Sequence, residues 1–237
     1  MQNIADIHTH ILYGVDDGAK TIDDSIELLK EEIKQGASLI FFTPHFYYGH
    51  NYYDVNTLKE RYKELCELDF IKDSNTNLIL GNECFCNYHI MTDLLNGDAL
   101  TMGDSNYVLV EFDYGIDIKS IVNTCRELYN EGFRPIIAHM ERYQPFKESH
   151  LKTLQSLNVE FQMNAGYISH ILSNHILSKN DKYNKKLLKT GVISYIGSDT
   201  HNIYTRPPNV KKAAELIERK VPKYAEDILY NNALKLI

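Results

Sequence analysis

The chain has 237 residues with 32 acidic and 25 basic side chains, a formal net charge of −7, four cysteines and no tryptophan. That length suits a single domain over residues 1–237 with a sizeable core, and the negative far field disfavours polyanions, so nucleic acid is not an expected partner. Scattered cysteines without CxxC spacing argue against a disulfide framework or a zinc ribbon; no signal-peptide pattern and no run of about 20 apolar residues appears, so the expectation is a cytoplasmic protein without membrane insertion.

Seven β-rich runs are legible in chain order. NIADIHTH (3–10) ends in His8 and His10 and opens into an Asp-Asp-Gly turn with Asp16 and Asp17. The following TIDDSIELLKEEIKQG repeats Ile22, Ile26, Leu29 and Ile33 at helical spacing, with Thr21 placed to cap the helix and Gly36 to end it. SLIFFTPH (38–45) ends in His45, and a helix is predicted over 58–68. TNLILGNE (76–83) ends in Glu83, NYVLVEF (106–112) carries Glu111, and a helix follows over 118–129. RPIIAHME (134–141) carries His139 and precedes a helix over 151–157. VEFQMNA (159–165) ends near Asn164, which offers no strong ligand, and VISYIGSD (192–199) ends in Asp199 with His201 just beyond. A last helix is predicted over 208–218, with Pro207 and Pro208 turning into it. No linker or fixed-period repeat interrupts the series, so alternating strands and helices predict parallel pairing and, at this length, a closed or nearly closed barrel.

In such barrels chemistry collects where strands end. A single histidine there is more often a hydrogen-bonded structural residue than a ligand, and His50, His89, His150, His170 and His175 are read as surface residues. The joint placement of His8, His10, Asp17, His45, Glu83, Glu111, His139, Asp199 and His201 is different, because burying so many titratable groups together without cations leaves charges uncompensated. Residues two apart on a strand share a face, so His8 and His10 can hold one cation, as can Asp199 and His201 if the strand stays extended there. Nine donors exceed the needs of one ion and suit two or three, bridged by a carboxylate such as Glu83. Imidazole and carboxylate without thiolate suit Mn, Fe or Zn better than Ca.

The ordered set HxH, DDG, TPH, GNE, VEF, AHMERY and GSDTH, with Arg206 shortly after, resembles the PHP (polymerase and histidinol phosphatase) superfamily, and more narrowly the tyrosine phosphatases of bacterial capsule and exopolysaccharide loci. The resemblance runs from His8 to Arg206. It implies an α/β fold, a distorted (β/α)7 TIM-like barrel, with a two- or three-ion centre that usually holds Mn2+. The family's ligand positions fall on the same nine residues, and its phosphate-binding arginines fall on Arg142 and Arg206. Tyr13 and Met140 stand where prolines are common, and Phe46 follows His45 where some relatives carry a second histidine; these departures touch loop shape and substrate fit. The implied substrate is a phosphotyrosine protein, in particular a tyrosine kinase regulating polysaccharide export.

The implied chemistry is hydrolysis of a phosphate monoester by a metal-activated hydroxide, with Arg142 and Arg206 gripping the phosphate oxygens. A phosphocysteine route is disfavoured because the residues six beyond the cysteines are Lys72, Ile90, Thr92 and Glu131, so no CxxxxxR loop exists. Asp17 or a second activated water is the candidate proton donor for the leaving phenolate, whereas Asp16 reads as a turn residue and Gly14 and Gly18 as backbone constraints. Residues 47–53 include Tyr47, Tyr48, Tyr52 and Tyr53; Tyr48 is the candidate substrate contact, although 17 tyrosines make aromatic loops common in this chain. Rival readings are a small-molecule phosphatase of histidinol-phosphate type, a phosphodiesterase, and a phosphoprotein-binding module with structural metals. Homo-oligomerisation stays open.

Overall fold

A computed structural model describes residues 3–49 and 53–237. His50 and Tyr52 therefore lie outside the described residues. In chain order the elements are β1 (Ile4–Thr9), α1 (Ile22–Lys34), β2 (Ala37–Phe42), β3 (His45–Phe46), α2 (Val55–Cys66), α3 (Asp69–Lys72), β4 (Asn77–Leu80), β5 (Glu83–Phe85) and α4 (Ile90–Asn96). They continue as β6 (Tyr107–Glu111), α5 (Ile118–Asn130), β7 (Arg134–Ile137), α6 (Glu148–Ser156), β8 (Glu160–Asn164), α7 (Ala165–Ser173), α8 (Lys179–Lys189), β9 (Tyr195–Gly197), α9 (Val210–Lys220) and α10 (Ala225–Leu229).

The second expected strand is broken at Thr43 and Pro44, since proline has no N–H for the ladder, and the third is broken at Gly81 and Asn82. The fragments keep their places: β1-β2-β4 form one parallel sheet and β3-β5-β6-β7-β8-β9 the other. The ends meet where Asp199 N–H donates to His8 O at 2.8 Å and His10 N–H to Thr200 O at 2.9 Å. The chain thus forms a distorted barrel of seven parallel staves.

Helix α1 begins with the anticipated cap: Thr21 accepts from Asp24 N–H while Asp24 receives Thr21 N–H. Gly36, at φ 98°, ends it in a conformation that suits glycine. Helices α3, α4, α7, α8 and α10 were not expected from the sequence. In α7 the apolar residues Ala165, Ile168, Ile171 and Leu172 follow β8 directly, with only Asn164 between Met163 and Ala165 and no loop to mark the change of period.

The barrel interior is filled by Ala5, Ile7, Leu39, Phe41, Leu109, Ile136 and Tyr195, and Ala233 and Leu236 from a C-terminal 3₁₀ turn pack onto the same cluster. A second cluster joins the outer sheet face to the helices through Leu28, Leu29, Ile40, Ile121, Cys125 and Leu188. Apolar packing thus closes the lower barrel, and the buried side chains of His8, His10, Glu83, His139, Asp199 and His201 gather at the carboxyl mouth. Among the described residues no helix is long and apolar enough to cross a membrane.

Candidate metal centre

Strand geometry alone would aim some of these donors the wrong way. In β1, Asp6 pairs with Ile40 but Thr9 pairs with Phe42, so three steps oppose two. This irregularity lets Ile7 face the interior cluster while His8, the next residue, turns to the mouth. On β7 and β9 the same re-aiming is done by the backbone: His139 and Asp199 adopt φ 30° and 56°. They are two of three non-glycine residues with positive φ among the described residues, a strained geometry that persists only when its surroundings impose it. The extended run expected from Asp199 to His201 is therefore corrected, because β9 ends at Gly197.

All nine expected donors converge. His8 Nε2 and His10 Nε2 are 3.2 Å apart, and Glu83 Oε2 lies 3.2 and 3.4 Å from them. Asp199 Oδ1 is 3.4 Å from His10 Nε2. His45 Nδ1 is 2.9 Å from Glu83 Oε2, while His139 Nε2 is 2.8 Å from Glu83 Oε1 and 3.3 Å from Glu111 Oε1. At the outer edge Asp17 Oδ1 lies 3.4 Å from His45 Nε2 and 3.3 Å from His201 Nε2.

Three overlapping groups have donor atoms close enough to share a cation: His10, Asp17, His45 and His201; His8, His10 and Asp199; His45, Glu83 and Glu111. Two donors each about 2.1 Å from one ion lie roughly 3.0–3.4 Å apart at tetrahedral to octahedral angles. Most of the measured separations fall in or near that range. His201 Nε2, though close to Asp17, is buried without a hydrogen bond, as a ligand nitrogen would be. The donor set fits divalent cations.

Electrostatics support the same reading. Burial depresses the His45 imidazole, but Glu83 and Asp17 outweigh it and lift the pKa to about 10. Burial also opposes charge on His139, yet Glu111 and Glu83 raise it to about 9. His201 is lowered by its burial and by His10. The imidazoles of His201 and His45 beside it hold Asp17 far below the usual carboxylate range, and Asp199, despite burial, is held low by His10 and His8. The cluster demands positive charge, and protons on the imidazoles compete with metal for that place.

Behind the donors lies a supporting layer whose roles the sequence did not announce. Asp16 Oδ2 is 2.7 Å from His10 Nδ1 and also accepts from His45 N–H, so it does more than shape the turn. Gln162 Oε1 accepts from His139 N–H at 2.6 Å and lies 3.3 Å from His8 Nδ1. Asn164 donates to Asp199 Oδ2 at 2.9 Å. The available signal was alternation: Gln162 and Asn164 are the polar positions of β8 between Phe161 and Met163. Gly18 lies against His10, where an added Cβ would sit 2.1 Å from its carbonyl oxygen.

Arg142 Nη2 lies 2.5 Å from Asp199 Oδ2 and Arg206 Nη2 lies 2.6 Å from Asp199 Oδ1. Both arginines are part-exposed and line a cavity of about 380 Å³ with Asn164 and Asp199. Arg142 Nη1 also donates to Tyr114 Oη at 3.1 Å. Tyr48 is exposed and lies against the His89 ring at 4.3 Å between centroids.

A parallel barrel carrying a histidine and carboxylate centre at its mouth, with two guanidinium groups beside one of the donors, defines a metal-dependent hydrolase. The chain belongs to the CpsB/CapC family of capsular polysaccharide synthesis, whose family model matches residues 4–237. It is 31% identical to the putative tyrosine-protein phosphatase CapC of Staphylococcus aureus over 95% of this chain and 87% of that protein. It superposes with a TM-score of 0.84 and 27% identity on a solved chain from the structures of YwqE from Bacillus subtilis and CpsB from Streptococcus pneumoniae, metal-dependent tyrosine phosphatases, covering 98% of this chain and 94% of that one. A histidinol phosphate phosphatase from Lactococcus lactis, solved with zinc, L-histidinol and phosphate, shares the fold at 17% identity and TM-score 0.58, covering 92% and 93% of the two chains.

Proposed function

We propose that this protein is a metal-dependent protein-tyrosine phosphatase, one catalytic domain over residues 1–237 that removes phosphate from a tyrosine kinase regulating polysaccharide export. The observation that carries the reading is the convergence of eight imidazole and carboxylate donors in groups close enough to share a cation, with His139 2.8 Å from Glu83, beside Arg142 and Arg206. His8, His10, Asp17, His45, Glu83, Glu111, His139, Asp199 and His201 are the proposed ligands, and Mn2+ is the proposed ion, since the set lacks thiolate and the family resemblance implies manganese. Bound divalent cations would supply an activated water at neutral pH and neutralise charge on the phosphoryl group.

The chain's own residues do the rest. Glu83 reaches His8, His10, His45 and His139 and would share in holding the divalent cations with them. Arg142 and Arg206 already grip a carboxylate in the mouth; the same donors suit the nonbridging oxygens of a phosphate. Asp17, held ionised, acts as a ligand in preference to a proton donor. A phenol of pKa about 10 leaves with modest assistance. A cytoplasmic location is part of the proposal.

Phosphate release from a phosphotyrosine peptide, with Mn2+ and with chelator, tests the reading. Release should require the metal and disappear in His139→Ala; metal-independent release, or none under any metal, contradicts it.

A further inference from the structure

Beside the metal donors, at the ends of β3 and β5, lie two aromatic side chains that the proposed chemistry leaves unused. On β3, β5 and β6 the register pairs His45 with Glu83 and Glu83 with Leu109, then Phe46 with Cys84 and Cys84 with Val110, and finally Phe85 with Glu111. Paired residues of parallel strands face the same side, and each strand alternates. Phe46, Cys84 and Val110 point outward into the core beneath the helices. Tyr47 and Phe85 therefore return to the face of His45 and Glu83, in the same row as the donor Glu111.

The two rings meet there. Tyr47 and Phe85 are stacked at 4.3 Å between centroids with 24° between planes, and both are part-exposed. This apolar wall, on β3 and β5, sits next to Glu111 at the end of β6, and the guanidinium groups of Arg142 and Arg206 come from the loops after β7 and β9, beyond β6 in the sheet order. An ester group that extends from the arginines across Glu111 meets these two rings.

We propose that Tyr47 and Phe85 form the wall against which the ring of an aryl phosphate lies, so that the site selects aryl over alkyl phosphoryl ligands. This specificity rests on the phosphatase reading for its substrate, but the wall can be tested apart from turnover. It also moves the aromatic contact from the exposed Tyr48 to its neighbour Tyr47, which alternation turns toward the donors.

The test compares binding of phenylphosphonate and methylphosphonate, two anions that differ in the ring, to the Mn2+-loaded protein by calorimetry. The wild-type protein should bind the phenyl compound roughly tenfold more tightly, as expected of a good aromatic contact. Tyr47→Leu and Phe85→Leu should each reduce that ratio to about two or less, while Tyr47→Phe keeps it. Each variant's affinity for methylphosphonate reports whether its metal site is intact. A wild-type ratio near one, leucine variants that keep the full ratio, or parallel loss of both ligands overturns the proposal. Failure of the wild-type protein to dephosphorylate a phosphotyrosine peptide while the ratio persists would instead remove the phosphatase reading and leave the wall standing.

Discussion

Asp16 Oδ2 lies 2.7 Å from His10 Nδ1, with both side chains fully buried, and leaves His10 Nε2 directed at His8, Glu83 and Asp199. A carboxylate on the far nitrogen fixes the tautomer and ring plane of an imidazole and raises its basicity as a ligand. Asp16→Ala should therefore weaken metal binding about 10- to 100-fold. Activity should recover at high Mn2+, because the donor atoms themselves remain. Metal titration of the apoprotein checks this, and unchanged affinity would reduce Asp16 to a turn residue.

Arg206 and Arg142 share Asp199 with Asn164. Hydrogen bonds to charged groups contribute about 1.5–3 kcal/mol, so Arg206→Ala should raise the inhibition constant of inorganic phosphate roughly 10- to 150-fold. Bound metal, measured by elemental analysis, should stay close to wild type. Loss of metal in step with loss of phosphate affinity would assign Arg206 to holding Asp199 instead.

The pH dependence has a definite sign. The folded-state pKa values of His45, about 10, and His139, about 9, lie above the ordinary 6.5. Their contribution to stability is complete below about pH 6.5 and fades as pH rises through the folded values. The depressed Asp17 and Asp199 contribute above about pH 4 and lose that contribution only in more acid solution. Chelated protein should thus melt at lower temperature as pH rises from 6.5 to 10, whereas metal affinity should rise over the same range as protons are removed. Melting curves with EDTA and with Mn2+ compare the two directly.

Gly197 makes room for the centre. A Cβ there would fall 2.5 Å from His8 Cβ and 2.8 Å from Gln162 Nε2. Gly197→Ala should cost about 1–3 kcal/mol of stability through overpacking and also weaken metal binding, since His8 must move. Denaturation and metal titration together test the pairing; a stability loss with intact affinity would show that His8 does not yield.

Leu236 is fully buried beneath the barrel, at the end opposite the donors. Leu236→Ala should destabilise the protein by about 2–5 kcal/mol through the cavity it leaves. The Michaelis constant for a phosphotyrosine peptide should stay near wild type at temperatures where the variant is folded. A changed constant would show that the lower barrel transmits strain to the mouth.

Much of this was readable from residues close together in the chain. The seven strand runs, the Thr21 cap and the placing of a histidine or carboxylate at six strand ends follow from side-chain period and chemistry, which are local properties. Contacts between distant residues were not readable in that way. His8 meets Gln162 across 154 positions and Arg142 meets Asp199 across 57, so the supporting layer appears only when the barrel closes. The irregularity in β1 and the left-handed His139 and Asp199 likewise decide where donors point, because neighbouring strands impose them and no local preference predicts them. The chain's letters determined which donor side chains were available; barrel closure determined which of them come together at the mouth, because that depends on contacts between strands far apart in the chain.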